Sequence, residues 1–455
     1  MSATLADVIA WLEDGSRSQR ERLALLRERA AVIRALYDDD HERALREIRR
    51  RLRSPKLADE VRALMRLLAA DRPDNPRPEG AAPPPLDDAG LDPAAAELEA
   101  AIAADPDTPD PYAVYGDLLQ ERGHPLGALI AIGQERLRRP GSAAVHAAHR
   151  SHLAAHSERL LGPLADHQGM LLDVSWYMGF IRACRVIAYD RAYDRAHHWA
   201  RERPIDLGHV TRWLLDRPGP ARFLQKLVVG IGPRDDGAYG RVCAAIARRP
   251  RPTLRSLSLG DYPAEAFAAA PASAAVAWPM LPGLRELVVR HPELALAPLE
   301  LPALERLYVR AYATDVPALL AGADVPALER LALRIDRSMD TDGYWTAIDG
   351  DAIAAALAKA RLPRLRSLAI TAPRSGDQLC EALADVPLLA QLEELDLSGS
   401  ALGDPGAASV YAHRDMFRHL RLVAGWHQLS PEGRARLESG VAELAFGEAA
   451  LPYAL

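Results

Sequence analysis

From about residue 180 onward the apolar positions keep falling into one short phrase: Leu, two residues, Leu or Val, one residue, a third aliphatic. It reads LQKLVV from Leu224, LRSLSL from Leu254, LRELVV from Leu284 and LERLYV from Leu304. It returns as LERLAL from Leu328, LRSLAI from Leu365 and LEELDL from Leu392. A looser copy uses Ile181, Cys184 and Val186, and a degenerate last one uses Phe417, Leu420 and Leu422. Strand side chains alternate faces, so the aliphatics point to a core and the residues between them point outward. Upstream the period changes to that of helices. Leu5, Val8, Ile9 and Leu12 share a face, as do Leu23, Leu26, Ile33 and Tyr37, then Leu45, Ile48 and Leu52, then Leu57, Val61, Leu64 and Leu68. Three further helices are predicted within 92–139, broken at Asp105–Pro111 and at Gly123-His124-Pro125. Another holds His152, Leu153, Leu160 and Leu161, and a strand approach follows at Leu172–Tyr177.

A strand phrase that recurs along a chain, with no unit able to bury its own apolar face, is the pattern of a leucine-rich repeat. The expected fold is α/β: an irregular leucine-rich-repeat solenoid with parallel strands on its concave face, preceded by all-helical N-terminal regions. Four regions are expected. Residues 1–70 form a helical bundle or docking arm, 71–91 a Pro-rich linker, 92–178 a helical cap, and 179–455 the repeat region. Repeat starts at Ile181, Leu224, Leu254, Leu284, Leu304, Leu328, Leu365 and Leu392 lie 43, 30, 30, 20, 24, 37 and 27 residues apart. The long gaps hold helix-like stretches at 240–248, 349–359 and 375–384; the short ones return by a loop or one helical turn. The Asn or Cys that usually closes each strand is replaced by Gly232, Tyr262, Pro292, Tyr312, Asp336, Pro373 and Ser400. Pro, Asp336, Ser400 or water must therefore hold these turns.

The net charge of −6 predicts no bulk attraction to nucleic acid. Arg carries nearly all the basic charge, since Lys occurs only at Lys56, Lys226 and Lys359. With abundant Ala and Pro this suggests a GC-rich coding bias, so a lone exposed Arg says little. Three widely spaced cysteines, Cys184, Cys243 and Cys380, make neither a disulfide framework nor a zinc site and point to a reducing compartment. No long charge-free apolar run and no basic leader is present, so the expected location is cytoplasmic, with no membrane contact.

The segment from Ile102 to Glu135 resembles the bacterial repeat-companion domain, a short helical module found beside leucine-rich and other repeats. The matching residues are Asp105-Pro106-Asp107, Tyr115-Gly116-Asp117-Leu118-Leu119, Glu121-Arg122-Gly123 and Pro125 to Ile130. The family usually shows Ala and Trp where this chain has Gly116 and Leu118. The resemblance covers roughly a tenth of the chain. It implies a helical cap followed by repeats and carries no catalytic residues.

Candidate chemistry is sparse. Of His197, His198, Asp190 and Asp194, only Asp194 and His198 share a helix face, two ligands where structural zinc takes four. Cys184 points inward and Cys243 has no adjacent His. Gly230, Gly232 and Gly237 lack the spacing and following helix of a phosphate loop. The expectation is therefore a non-enzyme with no cofactor and no metal. The outward positions of three middle repeats are more informative. They read Glu286, Val288 and Arg290; Arg306, Tyr308 and Arg310; Arg330, Ala332 and Arg334. Neighbouring strands lie ~4.8 Å apart, so two arginine columns would stand side by side about Tyr308. Like charges so close need a counter-charge. Glu286, Glu305 and Glu329 on a solvated face are one source. An acidic ligand, held by guanidinium contacts and stacking on Tyr308, is the other. The expected function is non-catalytic protein–protein recognition or scaffolding of an acidic partner surface, ahead of nucleic acid. A regulatory subunit of a larger bacterial defence or secretion assembly, docked through the N-terminal helices, is the alternative. Oligomeric state is not readable from the sequence.

Overall fold

The computed structural model describes residues 93–167, 172–187, 207–216, 219–230, 238–260, 272–290, 294–312, 315–321, 323–336, 349–372, 375–425 and 429–447. The expected helical arm, the linker and the His197-His198 segment lie outside the described residues. Within them the recurring phrase forms one eleven-stranded sheet whose spatial order is its chain order. Its strands are β1 (Leu172–Tyr177), β2 (Phe180–Ile187), β3 (Lys226–Gly230), β4 (Ser256–Leu259), β5 (Glu286–Val289) and β6 (Arg306–Tyr312). They continue as β7 (Arg330–Asp336), β8 (Ser367–Thr371), β9 (Glu394–Leu397), β10 (Arg421–Ala424) and β11 (Glu443–Phe446). The pair β1–β2 is antiparallel and every later pair is parallel. The molecule is thus mixed α/β with a large, mostly parallel sheet.

The strand phrase is only part of the repeating unit. The amides of Leu224, Leu254, Leu284, Leu304, Leu328, Leu365, Leu392 and Leu420 each bond the carbonyl three residues back, at 2.9–3.2 Å. Pro252, Pro282, Pro302, Pro326 and Pro363 sit at the second position of these turns, where a φ fixed near −65° is already correct. Two successive amides then share one carbonyl of the preceding repeat. Arg255 and Ser256 donate to Gln225 at 2.8 and 3.0 Å, and the same fork recurs on Arg255, Arg285, Glu305, Glu329 and Arg366. Beyond the fork, Leu227, Leu257, Leu287, Leu307, Leu331, Leu368, Leu395 and Leu422 form one buried row across eight strands.

Helices lie in the longer gaps: α5 (Leu207–Asp216), α6 (Ala238–Ile246), α7 (Val316–Ala321), α8 (Gly350–Lys359), α9 (Gly376–Leu383), α10 (Asp404–Ala412) and α11 (Pro431–Gly440). Their apolar sides join the leucine row in one core. The gaps on either side of β5 return by a 3₁₀ segment at 275–280 and by two-residue strands. Side chains close some turns where the usual Asn is missing. Ser400 Oγ donates to Ile370 O at 2.8 Å and accepts from Ala372 N–H at 2.9 Å. Asp377 Oδ1 accepts from Gly403 and Gly406, and Asp404 Oδ1 from Ser430, each time reaching into the next repeat.

Ahead of the sheet stand α1 (Pro93–Ala104), α2 (Asp110–Glu121), α3 (Pro125–Arg138) and α4 (Ala143–Leu161). His124 and Ser142 cap α3 and α4 with side-chain acceptors. The expected boundary at 178 falls inside the β1–β2 turn. Met178 and Gly179 there both have positive φ, 48° and 78°, which gives the tight hairpin turn that suits a right-handed strand twist. Helix α3 rests directly on this turn, because a Cβ on Gly133 would lie 2.9 Å from Met178 Cα. An aromatic cluster joins the helices to the sheet: Tyr112 packs on Phe180 and Phe223 with ring centroids 5.7 and 5.9 Å apart. The buried core runs without a break from Ala95 to Val441. No helix among the described residues is long and apolar enough to cross a membrane.

Candidate binding face

The sheet face opposite the leucine row carries the residues singled out from the sequence. One row, in strict register from β4 to β11, reads Ser256, Glu286, Arg306, Arg330, Ser367, Glu394, Arg421 and Glu443. Most of its charges are matched along the row. Ser256 Oγ donates to Glu286 at 2.7 Å, and Arg306 Nε lies 3.3 Å from the same carboxylate and its NH1 3.5 Å from Glu305. The motif repeats four strands later, where Ser367 Oγ donates to Glu394 and Arg421 joins Glu394 to Glu443. Between the two ladders stands Arg330. It is exposed, and its side chain has no hydrogen bond or ion pair among the described residues. Glu329, beside it in sequence, makes no ion pair there either.

The next outward rows complete the picture. Arg310 and Arg334 both converge on Asp336, Arg310 in close contact and Arg334 at 3.7 Å. Arg290 NH1 donates to Gly260 O at 3.3 Å. Tyr308 lies between Val288 and Ala332 and is 8% exposed, leaving little ring surface for a ligand to stack on. The face therefore holds Glu286, Arg290, Arg306, Tyr308, Arg310, Arg330 and Arg334 together, but in unequal states. Arg306, Arg310 and Arg334 have anionic partners in this chain, and Arg330 has none among the described residues.

Sequence reasoning missed two carboxylates. Asp336 reads as a turn residue, yet β7 runs on to include it, so it stays outward beside its arginines. Asp107 lies between α1 and α2 and reaches the first strands near their N-terminal ends, at the other end of the sheet. Its Oδ1 meets Arg182 at 2.6 Å and Gln225 at 3.4 Å, and its Oδ2 meets Arg255 at 2.7 Å. Its carbonyl accepts from Tyr177 OH at 2.8 Å, and the Arg182 guanidinium sits 4.9 Å over the Tyr177 ring. Partial burial pushes the Asp107 carboxyl up. The Arg255 and Gln225 hydrogen bonds and the charges of Arg182 and Arg255 outweigh it and leave the group below the usual range. The match to Asp105-Pro106-Asp107 thus includes a residue that fastens the helices to the sheet.

Cys184, Cys243 and Cys380 are buried thiols; burial raises all three, Cys243 and Cys380 to about 12, far from nucleophilic thiolates. Among the described residues no group of His, Cys, Asp or Glu is placed to hold a metal ion. No family model matches the chain, and no curated protein matches it. A solved structural-genomics target from Bacteroides fragilis is similar over 67% of this chain and 82% of that chain, at 18% identity and a TM-score of 0.45. A likeness that distant carries no argument about fold or activity.

Proposed function

We propose that this protein is a non-catalytic recognition or scaffold protein. In this reading a repeat-companion-like helical cap precedes an irregular leucine-rich-repeat arc, and the arc's open strand face binds an acidic surface on a partner protein. The observation that carries the reading is Arg330, an exposed cation without a counter-charge among the described residues, between two ladders that are internally matched. Asp107 adds a precedent from within the chain: it is a loop-borne carboxylate seated on two arginines near the starts of β2 and β4. Charge-assisted contacts of that kind are what an external carboxylate would make with Arg330.

Arg306, Arg310 and Arg334 are poor first targets for mutation because each holds a carboxylate of its own chain. Arg330 is the clean one. Fluorescence anisotropy of labelled hexaglutamate and hexalysine peptides on the full chain tests the reading. Hexaglutamate should bind, weaken as salt rises, and lose about tenfold or more in affinity to Arg330→Glu while the melting temperature holds. Absence of hexaglutamate binding, or binding indifferent to Arg330→Glu, overturns the proposal.

A further inference from the structure

One spot on the open face is floored by two small side chains. Ala332 of β7 and Ala369 of β8 are paired in register, and both are partly exposed. Their row continues to Tyr308 on one side and Asp396 on the other. The rows on either side bring Arg330 and Arg334 to the β7 edge of this spot. With strands ~4.8 Å apart and a rise of ~3.3 Å per residue, Arg330 and Asp396 stand ~12 Å apart on the diagonal at Cα. Ala332 and Ala369 are shorter than Tyr308, Arg330 and Arg334 beside them, so the face is lower at this spot.

The charges at its two corners are both uncompensated. Arg330 has no partner among the described residues, and Asp396 accepts only the Ser398 backbone N–H there, at 2.8 Å. They do not pair with each other in this structure. Elsewhere on this face Glu286, Glu394, Arg306 and Arg421 are matched strand to strand. A cation and an anion left open across a small-residue floor suit a ligand carrying both signs.

Resting on the reading of the open face as a binding surface, we infer that this recess is its specificity pocket. Its occupant is an extended segment of a partner protein that lies across the strands and presents one acidic and one basic side chain from the same edge. The carboxylate goes to Arg330, with Arg334 beside it. The basic group goes to Asp396. Same-side residues of an extended chain recur every ~6.6 Å, so the two ligand charges sit about two to four residues apart. A uniformly acidic segment would meet Asp396 as a like charge, and that repulsion supplies discrimination that attraction at Arg330 alone lacks.

The test uses the full chain and labelled heptapeptides in an Ala/Gly background. One carries Glu and Lys two residues apart, and its analogues replace either charge by Gln. The mixed-charge peptide should bind better than the analogue lacking Lys. Asp396→Asn should erase that preference and tighten hexaglutamate. Ala369→Leu, which fills the recess from a partly exposed position, should weaken the mixed-charge peptide roughly tenfold with an unchanged melting temperature. Two results overturn the inference: a Lys preference that survives Asp396→Asn, or mixed-charge binding untouched by Ala369→Leu. Either can occur while hexaglutamate binding stays sensitive to Arg330→Glu, in which case the wider reading stands and the pocket does not. Loss of hexaglutamate binding altogether removes both.

Discussion

At Asp336 two arginines share one carboxylate. Arg310, whose side chain is 12% exposed, takes the close contact, and Arg334 the longer one. Substitution there acts on stability and on binding with opposite signs. Asp336→Asn removes a carboxylate that the mostly buried Arg310 guanidinium contacts, at a cost of about 1.5–3 kcal/mol, so the denaturant midpoint should fall. The same change frees positive charge on the open face, so hexaglutamate should bind more tightly. A variant that loses stability without gaining affinity would show that these arginines serve the fold alone. The pairing could not be read in advance. An aspartate three residues past the third aliphatic reads as a strand-closing side chain, and in Ser400 that reading matches what the side chain does. In Asp336 it does not, because β7 extends through it in register with Tyr312 of β6.

At the scale of elements, the helices ahead of the sheet depend on a histidine that stays neutral. His149 of α4 is nearly buried. Its ring packs edge-on to Trp176 of β1 at 6.3 Å, and its Nε2 lies 3.2 Å from Arg136 NH1 of α3. Burial first, then the charges of Arg136, His146, His152 and Arg150, lower its pKa to about 4. The unfolded chain takes up that proton near pH 6.5, and the folded chain only near 4. Over that window the unfolded state binds more protons. Stability from this group is therefore complete above about pH 6.5 and is lost progressively toward pH 4, by at most about 3 kcal/mol. Urea unfolding followed by Trp fluorescence at several pH values should show this loss, and His149→Gln should flatten it; equal slopes in the two proteins would refute the assignment. The helix boundaries themselves were legible, because Asp105–Pro111 and Gly123-His124-Pro125 interrupt a clear apolar period. How the helices are fastened was not. Asp107 meets Arg182 and Arg255 across 75 and 148 residues of chain, a contact set by how the whole module folds back. The prolines opening five of the strands were in plain sight, and they would have placed the repeat start three residues earlier.

Across the whole molecule, each strand of the eleven-stranded sheet pairs only with its chain neighbours, and the linking helices touch in the same order, α7 on α8, α8 on α9, α9 on α10 and α10 on α11. Yet one apolar core runs from end to end. Long-range order here is a relay of short contacts, so cooperativity should decay along the sheet instead of spanning it. Leu422 of β10 is fully buried in the leucine row, and Leu422→Ala should cost about 2–5 kcal/mol, as cavities in packed cores do. If stability is relayed, that loss is local. Hydrogen exchange by mass spectrometry should show amides of β9, β10, β11 and α11 exchanging faster, while β2, β3 and β4 keep their protection. A drop of equal size at both ends would mean that the sheet opens as one unit and that coupling between repeats outweighs the stability of any one of them. The local outcome would fit a surface that binds away from its ends, since Arg330 of β7 lies six strands from β1 and four from β11. Disturbance at either end would then have to cross several strand pairs before it reached the site.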